Sequence, residues 1–338
     1  MSKRSLSPSS KTPHPKTSRL DSSIIVYNNI ESNNSRIKGI TVLISNISQF
    51  QELIRIIVGV SNTAEFSISP GMINFKVMSS ANISCCHAQF VCETPGFKNE
   101  VGSGPFFVDL NLLELCLSTK LYTKMAGSET LLQFVIIPDE KITIAMVNPN
   151  TEAKIPYICK HKLRLLDASP VGLSMESLVY DVTVRFSITD LKAVLDQFRQ
   201  FKFVHLTFDI FTDDLTNSFA LRISASNINH SSKHTFYCFK PRDSDIVCAS
   251  STFVENEGSI KNSSLVLKLS QSFYCSHLFK VVKAMNDHYV KISFNDGLPL
   301  CVRYDFTSHS YLQYFLCSLA EDLDADAVAN MPVCPDEE

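Results

Sequence analysis

Apolar residues recur at helical spacing in four short stretches of the chain and at strand spacing over most of the rest. Phe50, Leu53, Ile54, Ile57 and Val58 fall at i, i+3, i+4, i+7 and i+8, which predicts a helix over 48–60 with one apolar stripe. Ser48 and Gln51 have capping-box spacing and mark its start. A second helix is predicted over 110–124, where Leu110, Leu113, Leu117 and Leu121 share a face behind an Asp109 cap. Leu191, Val194, Leu195 and Phe198 repeat the first stripe in a helix over 189–201. Leu278, Val281, Val282 and Met285 do so again over 273–286. Alternation predicts strands: Val204, Leu206, Phe208 and Ile210 against His205, Thr207 and Asp209, and Leu300, Val302, Tyr304 and Phe306 against Cys301, Arg303 and Asp305. Val290, Ile292 and Phe294 alternate too, and Asn295-Asp296-Gly297 after them reads as a hairpin turn. Pro138-Asp139-Glu140 joins 131–137 to 141–147 in an earlier hairpin.

The order of these elements repeats. In each half a helix precedes strands, and a second helix precedes a hairpin, with a period of about 135 residues, too long for a solenoid. The expected fold class is α+β, two duplicated domains each with two helices packed on antiparallel sheets. The domains are expected over 38–165 and 179–320, joined by a connector over 166–178.

Composition supports a folded interior. Hydrophobic residues are 45% of the 338 and charged residues 19%, enough for two domains of about 150 residues with large cores. No run of about 18 apolar residues predicts a membrane span, and the start of the chain lacks the apolar stretch of a secretion signal. Eleven cysteines are scattered without C-x-x-C or zinc-ligand spacing, so they read as reduced thiols and no metal site is expected. The net charge of −3 is unevenly placed. Residues 1–20 carry five bases and no acid, while 321–338 carry seven acids and no base. Segment 1–22 is expected to be a disordered basic Ser/Pro tail, either simply solvated or serving as a nuclear-import or anion-contacting arm, and 321–338 an acidic tail. The near-neutral remainder excludes a DNA binder working through bulk charge, so any such role depends on placement. Phosphate loops, dinucleotide-binding glycines, nucleophile elbows and H-E-x-x-H are absent from the sequence. The expectation is a protein that is not an enzyme, with no catalytic residues and no cofactor.

Three stretches carry a family likeness. Gly71-Met72-Ile73-Asn74-Phe75-Lys76-Val77-Met78-Ser79-Ser80-Ala81-Asn82-Ile83-Ser84 resembles the central-loop region of the proliferating cell nuclear antigen family, the eukaryotic sliding clamps. Leu166-Asp167 through Val171-Gly172-Leu173 resembles the interdomain connecting loop of that family. Gly297 to Tyr304, followed by Tyr311-Leu312-Gln313-Tyr314-Phe315-Leu316, resembles its last hairpin and C-terminal strand, the most specific of the three. The likeness extends over 40–322.

The resemblance implies the DNA-clamp (processivity) fold and a homotrimeric ring around duplex DNA, held without regard to base sequence. Helices would line the hole and sheets form the outside. Implied partners are a DNA polymerase, an ATP-driven clamp loader, and replication and repair clients that dock through short aromatic-anchored peptides; no membrane is involved. The implied location is the nucleus or a viral replication compartment. The implied peptide pocket comprises Met78, Asn82, Ile83 and Cys85, Val171 and Leu173, and Pro299, Phe315 and Leu316. A client peptide with a basic flank, drawn by the acidic 321–338, would suit it. The implied DNA-facing cations are Arg55, Lys120, Lys124, Lys192, Arg199, Lys202, Lys280 and Lys283; Gln51, Glu52, Val58 and Asp196 occupy positions usually basic in the family. Ring closure would use edge strands around 157–165 and within 219–239. The alternatives are a subunit of a checkpoint-type heterotrimeric clamp and a clamp-fold viral transcription or scaffold factor.

Overall fold

The structure, a computed structural model, describes residues 39–94, 104–118, 130–137, 140–147, 157–170, 178–213, 218–239, 246–248, 266–286 and 289–319. The first set of elements runs β1 (Ile40–Ile44), α1 (Ile47–Val58), β2 (Thr63–Ser69), β3 (Met72–Met78), β4 (Ser84–Val91), β5 (Phe106–Asp109), α2 (Leu110–Leu117), β6 (Leu131–Ile137), β7 (Lys141–Val147) and β8 (Tyr157–Arg164). The second set repeats that order with one short extra strand. It runs β9 (Val182–Ser187), α3 (Ile188–Gln200), β10 (His205–Asp213), β11 (Ser218–Ser226), β12 (Ser231–Phe239), the extra β13 (Ile246–Cys248), β14 (Val266–Tyr274), α4 (Cys275–Ala284), β15 (Tyr289–Phe294), β16 (Leu300–Asp305) and β17 (Tyr311–Leu316). The repeat is longer than the predicted period, since α1 and α3 begin at Ile47 and Ile188 and α2 and α4 at Leu110 and Cys275. The extra length lies between β10 and β14.

Local chemistry sets the helix ends. At α1 the cap is Asn46, whose side chain accepts the Gln49 N–H at 3.2 Å, and not the predicted Ser48–Gln51 box; Ser48 donates to the same Asn46 oxygen. Asp109 caps α2 as predicted, accepting from the Leu112 N–H at 3.0 Å. The described helix runs to Leu117 with Ser118 as its C-cap, and the rest of the predicted 110–124 span, Lys120 and Lys124 included, lies outside the described residues. Ser187 caps α3. The 295–297 turn matches the prediction, with Gly297 at φ +70°, a left-handed conformation that favours glycine.

Apart from β13, the strands of the two sets correspond one for one. The first set pairs β5-β2-β3-β4 and β1-β6-β7-β8; the second pairs β14-β10-β11-β12 and β9-β15-β16-β17. Two junctions then extend the sheet. β13 bridges β12 to β9, and β17 pairs antiparallel with β4 of the first set, from Tyr311↔Gln89 to Leu316↔Ser84. The result is a thirteen-stranded sheet and a four-stranded one that ends at β8.

The helices form a row, α2–α1–α4–α3, against the buried face of the strands. The Phe50 ring of α1 lies 5.2 Å from Phe90, 5.5 Å from Phe134 and 6.1 Å from Phe75, so one helix position joins both sheets of its set. Burying each such ring is worth about 1.5–3 kcal/mol. At the α1–α4 crossing the backbone approaches closely: a Cβ at Gly59 would stand 3.1 Å from the Lys280 carbonyl oxygen. A larger residue there would push the two helices apart.

Candidate functional site

Two surfaces result, a helix face and an outward sheet face. On the helix face, Arg55 of α1, Arg199 of α3, and Lys280 and Lys283 of α4 are exposed, as is Lys202 just beyond α3. The Arg199 guanidinium lies 4.9 Å from the Phe279 ring centre and the Lys283 Nζ 5.7 Å from it, so one half-buried ring gathers cations from two helices. Lys192 does not join them. It is half-buried and its Nζ donates to the Met285 carbonyl, tying α3 to the end of α4. Asp196 is exposed on α3 among these cations.

In the first set the polar residues of α1 serve as joints between helices. Gln51 Nε2 donates to the Leu117 carbonyl at 2.6 Å, closing the end of α2. Glu52, 4% exposed, accepts the Tyr304 hydroxyl and the Asn286 N–H, each at 2.7 Å, and so joins α1 to the second set. The positions of these two residues are therefore occupied by internal hydrogen bonds. The outer side of α2 presents Leu112 and Leu115, at 49% and 65% exposure.

On the sheet face, pairing aligns Met78, Cys85, Phe315 and Cys301 in one row across β3, β4, β17 and β16. Their chain neighbours Val77, Cys86, Tyr314 and Val302 are buried in the core, so period two turns the row away from the helices. The β3–β4 turn closes one side, with Asn82 exposed at φ +57° and the Ile83 carbonyl accepting the Cys317 N–H at 2.9 Å. Pro299 borders the other side, and its carbonyl accepts the Tyr180 hydroxyl at 3.0 Å. The structure thus brings together Met78, Asn82, Ile83, Cys85, Pro299 and Phe315. Phe315, at 9% exposure, is a floor residue. Leu316 does not belong: it is fully buried because successive strand residues face opposite sides. Val171 and Leu173 lie outside the described residues.

Two lining residues escaped the sequence reading. Cys301 was legible, since it alternates with the core residues Leu300 and Val302. Tyr180 carried no signal, because only the fold brings it near Cys85 and Cys301. Burial, with Cys317 nearby, pushes the Cys85 thiol up to about 11, and burial pushes Cys301 up to about 12 despite the opposing Arg303. Both remain protonated at neutral pH and act as small apolar groups, not as nucleophiles.

No family model matches the sequence, and no curated protein does. Solved structures do match. The PCNA of A. fulgidus, in a structure with the C-terminal region of FEN-1 bound, aligns over 83% of this chain and 99% of its own at TM-score 0.59 and 11% identity. The PCNA of Thermococcus kodakaraensis aligns over 83% and 100% at TM-score 0.60 and 14% identity. The proliferating cellular nuclear antigen of Entamoeba histolytica aligns over 83% and 99% at TM-score 0.58 and 12% identity. The chain therefore has a PCNA-like clamp fold, α+β with antiparallel sheets.

Proposed function

We propose that this chain is a DNA sliding clamp, a non-enzymatic processivity factor that encircles duplex DNA and tethers a polymerase and other clients. One observation carries the reading: the junction between β17 and β4. By the internal repeat β17 corresponds to β8, and β4 corresponds to β12. Among the described residues β8 ends the four-stranded sheet, and β13 meets β12 only at Cys238 and Phe239. A β8–β12 pairing between copies would therefore repeat the internal junction, and such a head-to-tail contact generates a ring when its rotation closes. The helix row, with Arg199, Lys280 and Lys283 exposed, would face the hole and hold phosphates without reading bases. The outward row around Phe315 would take a client peptide by an apolar anchor. Work in the nucleus or a viral replication compartment, with a clamp loader, belongs to the same reading.

Retention on circular duplex DNA tests it. The protein should stay on a nicked circle after loading and run off once the circle is linearised; equal loss from both forms would overturn the reading. A second reading, a subunit of a heterotrimeric clamp, is favoured by the single exposed cation, Arg55, on the described helices of the first set. Light scattering separates them: a homotrimer has three times the mass of the 37.8 kDa chain, while a heterotrimer subunit stays monomeric alone.

A further inference from the structure

The outward face carries a second row, two residues along each strand from the apolar one. Lys76 stands opposite His87, His87 opposite Gln313, Gln313 opposite Arg303, Arg303 opposite Lys291, and Lys291 opposite Arg185. Six strands thus contribute to one line, roughly 24 Å long at about 4.8 Å per strand. Like charges directly opposite one another destabilise a sheet, so the Arg303–Lys291–Arg185 run is not something the fold requires. Among the described residues the row holds four Lys and Arg side chains; Glu65 stands opposite Lys76 at the far end, and Asp305 lies 2.8 Å from Arg303 Nε. The Arg303 guanidinium lies 4.3 Å from the Tyr311 ring centre and that of Arg185 4.5 Å from Tyr289, contacts that hold both planes in place.

We propose that this row binds the acidic flank of the client peptide whose apolar anchor occupies the Met78–Phe315 row. The proposal rests on reading that apolar row as a peptide groove. The two rows lie roughly 7 Å apart, the reach of two residues in an extended peptide, so anchor and carboxylates can be close neighbours in sequence. The pairing of rows favours a peptide over nucleic acid. A nucleic-acid strand would leave Phe315 and Met78 unused, and bases would have to compete with guanidiniums for the Tyr311 and Tyr289 rings. This reverses the expected basic flank. That expectation rested on 321–338, which lies outside the described residues, whereas the described surface beside the groove is basic.

The test is a titration of the full-length protein with three fluorescent peptides that share one aromatic-apolar anchor and carry acidic, neutral or basic flanks. The acidic flank should bind about tenfold tighter than the neutral one, with the advantage shrinking as salt rises. Lys291→Glu with Arg185→Glu should invert the ranking, and Lys291→Gln with Arg185→Gln should abolish the preference without inverting it. Equal affinity for acidic and neutral flanks overturns the proposal while leaving the groove standing. Failure of all three peptides removes the groove and the proposal together. Displacement of the acidic peptide by oligothymidylate, lost in the reversed variant, would assign the row to nucleic acid instead. Acidic-peptide binding that appears only after deletion of 321–338 would assign it to the chain's own acidic segment. Either result overturns the proposal.

Discussion

The two helix pairs occupy equivalent places in the repeat and use their polar residues in opposite ways. On α1, Gln51 and Glu52 turn inward and bond the end of α2, the Asn286 N–H and the Tyr304 hydroxyl; only Ser48 and Arg55 of that helix are fully exposed. On α3 and α4 only Lys192 is drawn into such a bond among the cations, while Arg199, Lys280 and Lys283 are exposed, with Arg199 and Lys283 gathered on Phe279. One helix pair provides the joint between the halves, and the other provides the charge. A duplicated fold can divide labour in this way because each copy needs to keep only its apolar stripe to pack.

The largest effect should come from the joint. Glu52→Ala leaves the Tyr304 hydroxyl and the Asn286 N–H without their acceptor and should cost about 2–4 kcal/mol in urea unfolding. A loss below about 1 kcal/mol would mean that the halves are held together elsewhere. Next comes the charged pair of helices. Arg199→Ala with Lys280→Ala and Lys283→Ala should weaken duplex binding at least about tenfold and reduce the log–log salt slope by about 2–3, while Arg55→Ala changes that slope by about 1 or less. Equal effects of the two variants would erase the asymmetry.

Acid should act unevenly as well. Burial holds the imidazoles of His205, His234 and His277 below the usual histidine value, with Lys280 adding to the effect at His277. In the first half burial, then Lys76, does the same to His87. A histidine held low in the folded chain takes up its proton more readily once unfolded. Its contribution to stability is therefore fully present above about pH 6.5 and is lost as pH falls through the lower folded value. Urea midpoints should decline from pH 7.5 toward 5. His205→Phe should flatten the decline, because both His205 ring nitrogens are buried without a hydrogen-bond partner. An unchanged slope in that variant would exclude His205 as a source. The smallest effect is a gain: Leu112→Lys with Leu115→Lys on the outer side of α2 should leave stability within about 0.5 kcal/mol. The same variant should raise the duplex salt slope by up to about 2, bringing the first helix pair closer to the second.

The four described helices and most described strands were legible because periodicity records which side of an element is buried, and burial dominates in this fold. Phe50, Leu191 and Leu278 identify their helices in the sequence and are fully buried in the structure. Periodicity says less about polar residues. Lys192 reads as a surface cation, yet it bonds the end of a neighbouring helix. Gln51 and Glu52 read as missing bases and are interhelical joints. The resemblance implies both Phe315 and Leu316 as pocket residues, although alternation within β17 sends them to opposite faces. The basic row could not be read from one strand at a time, since each strand contributes a single member and only the register lines them up.

The β17–β4 pairing also sets an order of events during synthesis. β4 is complete at Val91, but its partner strand ends at Leu316, some 225 residues later. At about 5–20 residues per second, an emerging chain would wait roughly 11–45 s for that partner. Throughout that interval the edge of β4 must avoid strands from neighbouring nascent chains. Polar side chains on the outward side of that edge, His87 and Gln89 among them, are well placed to discourage such mispairing until the chain's own last strand arrives.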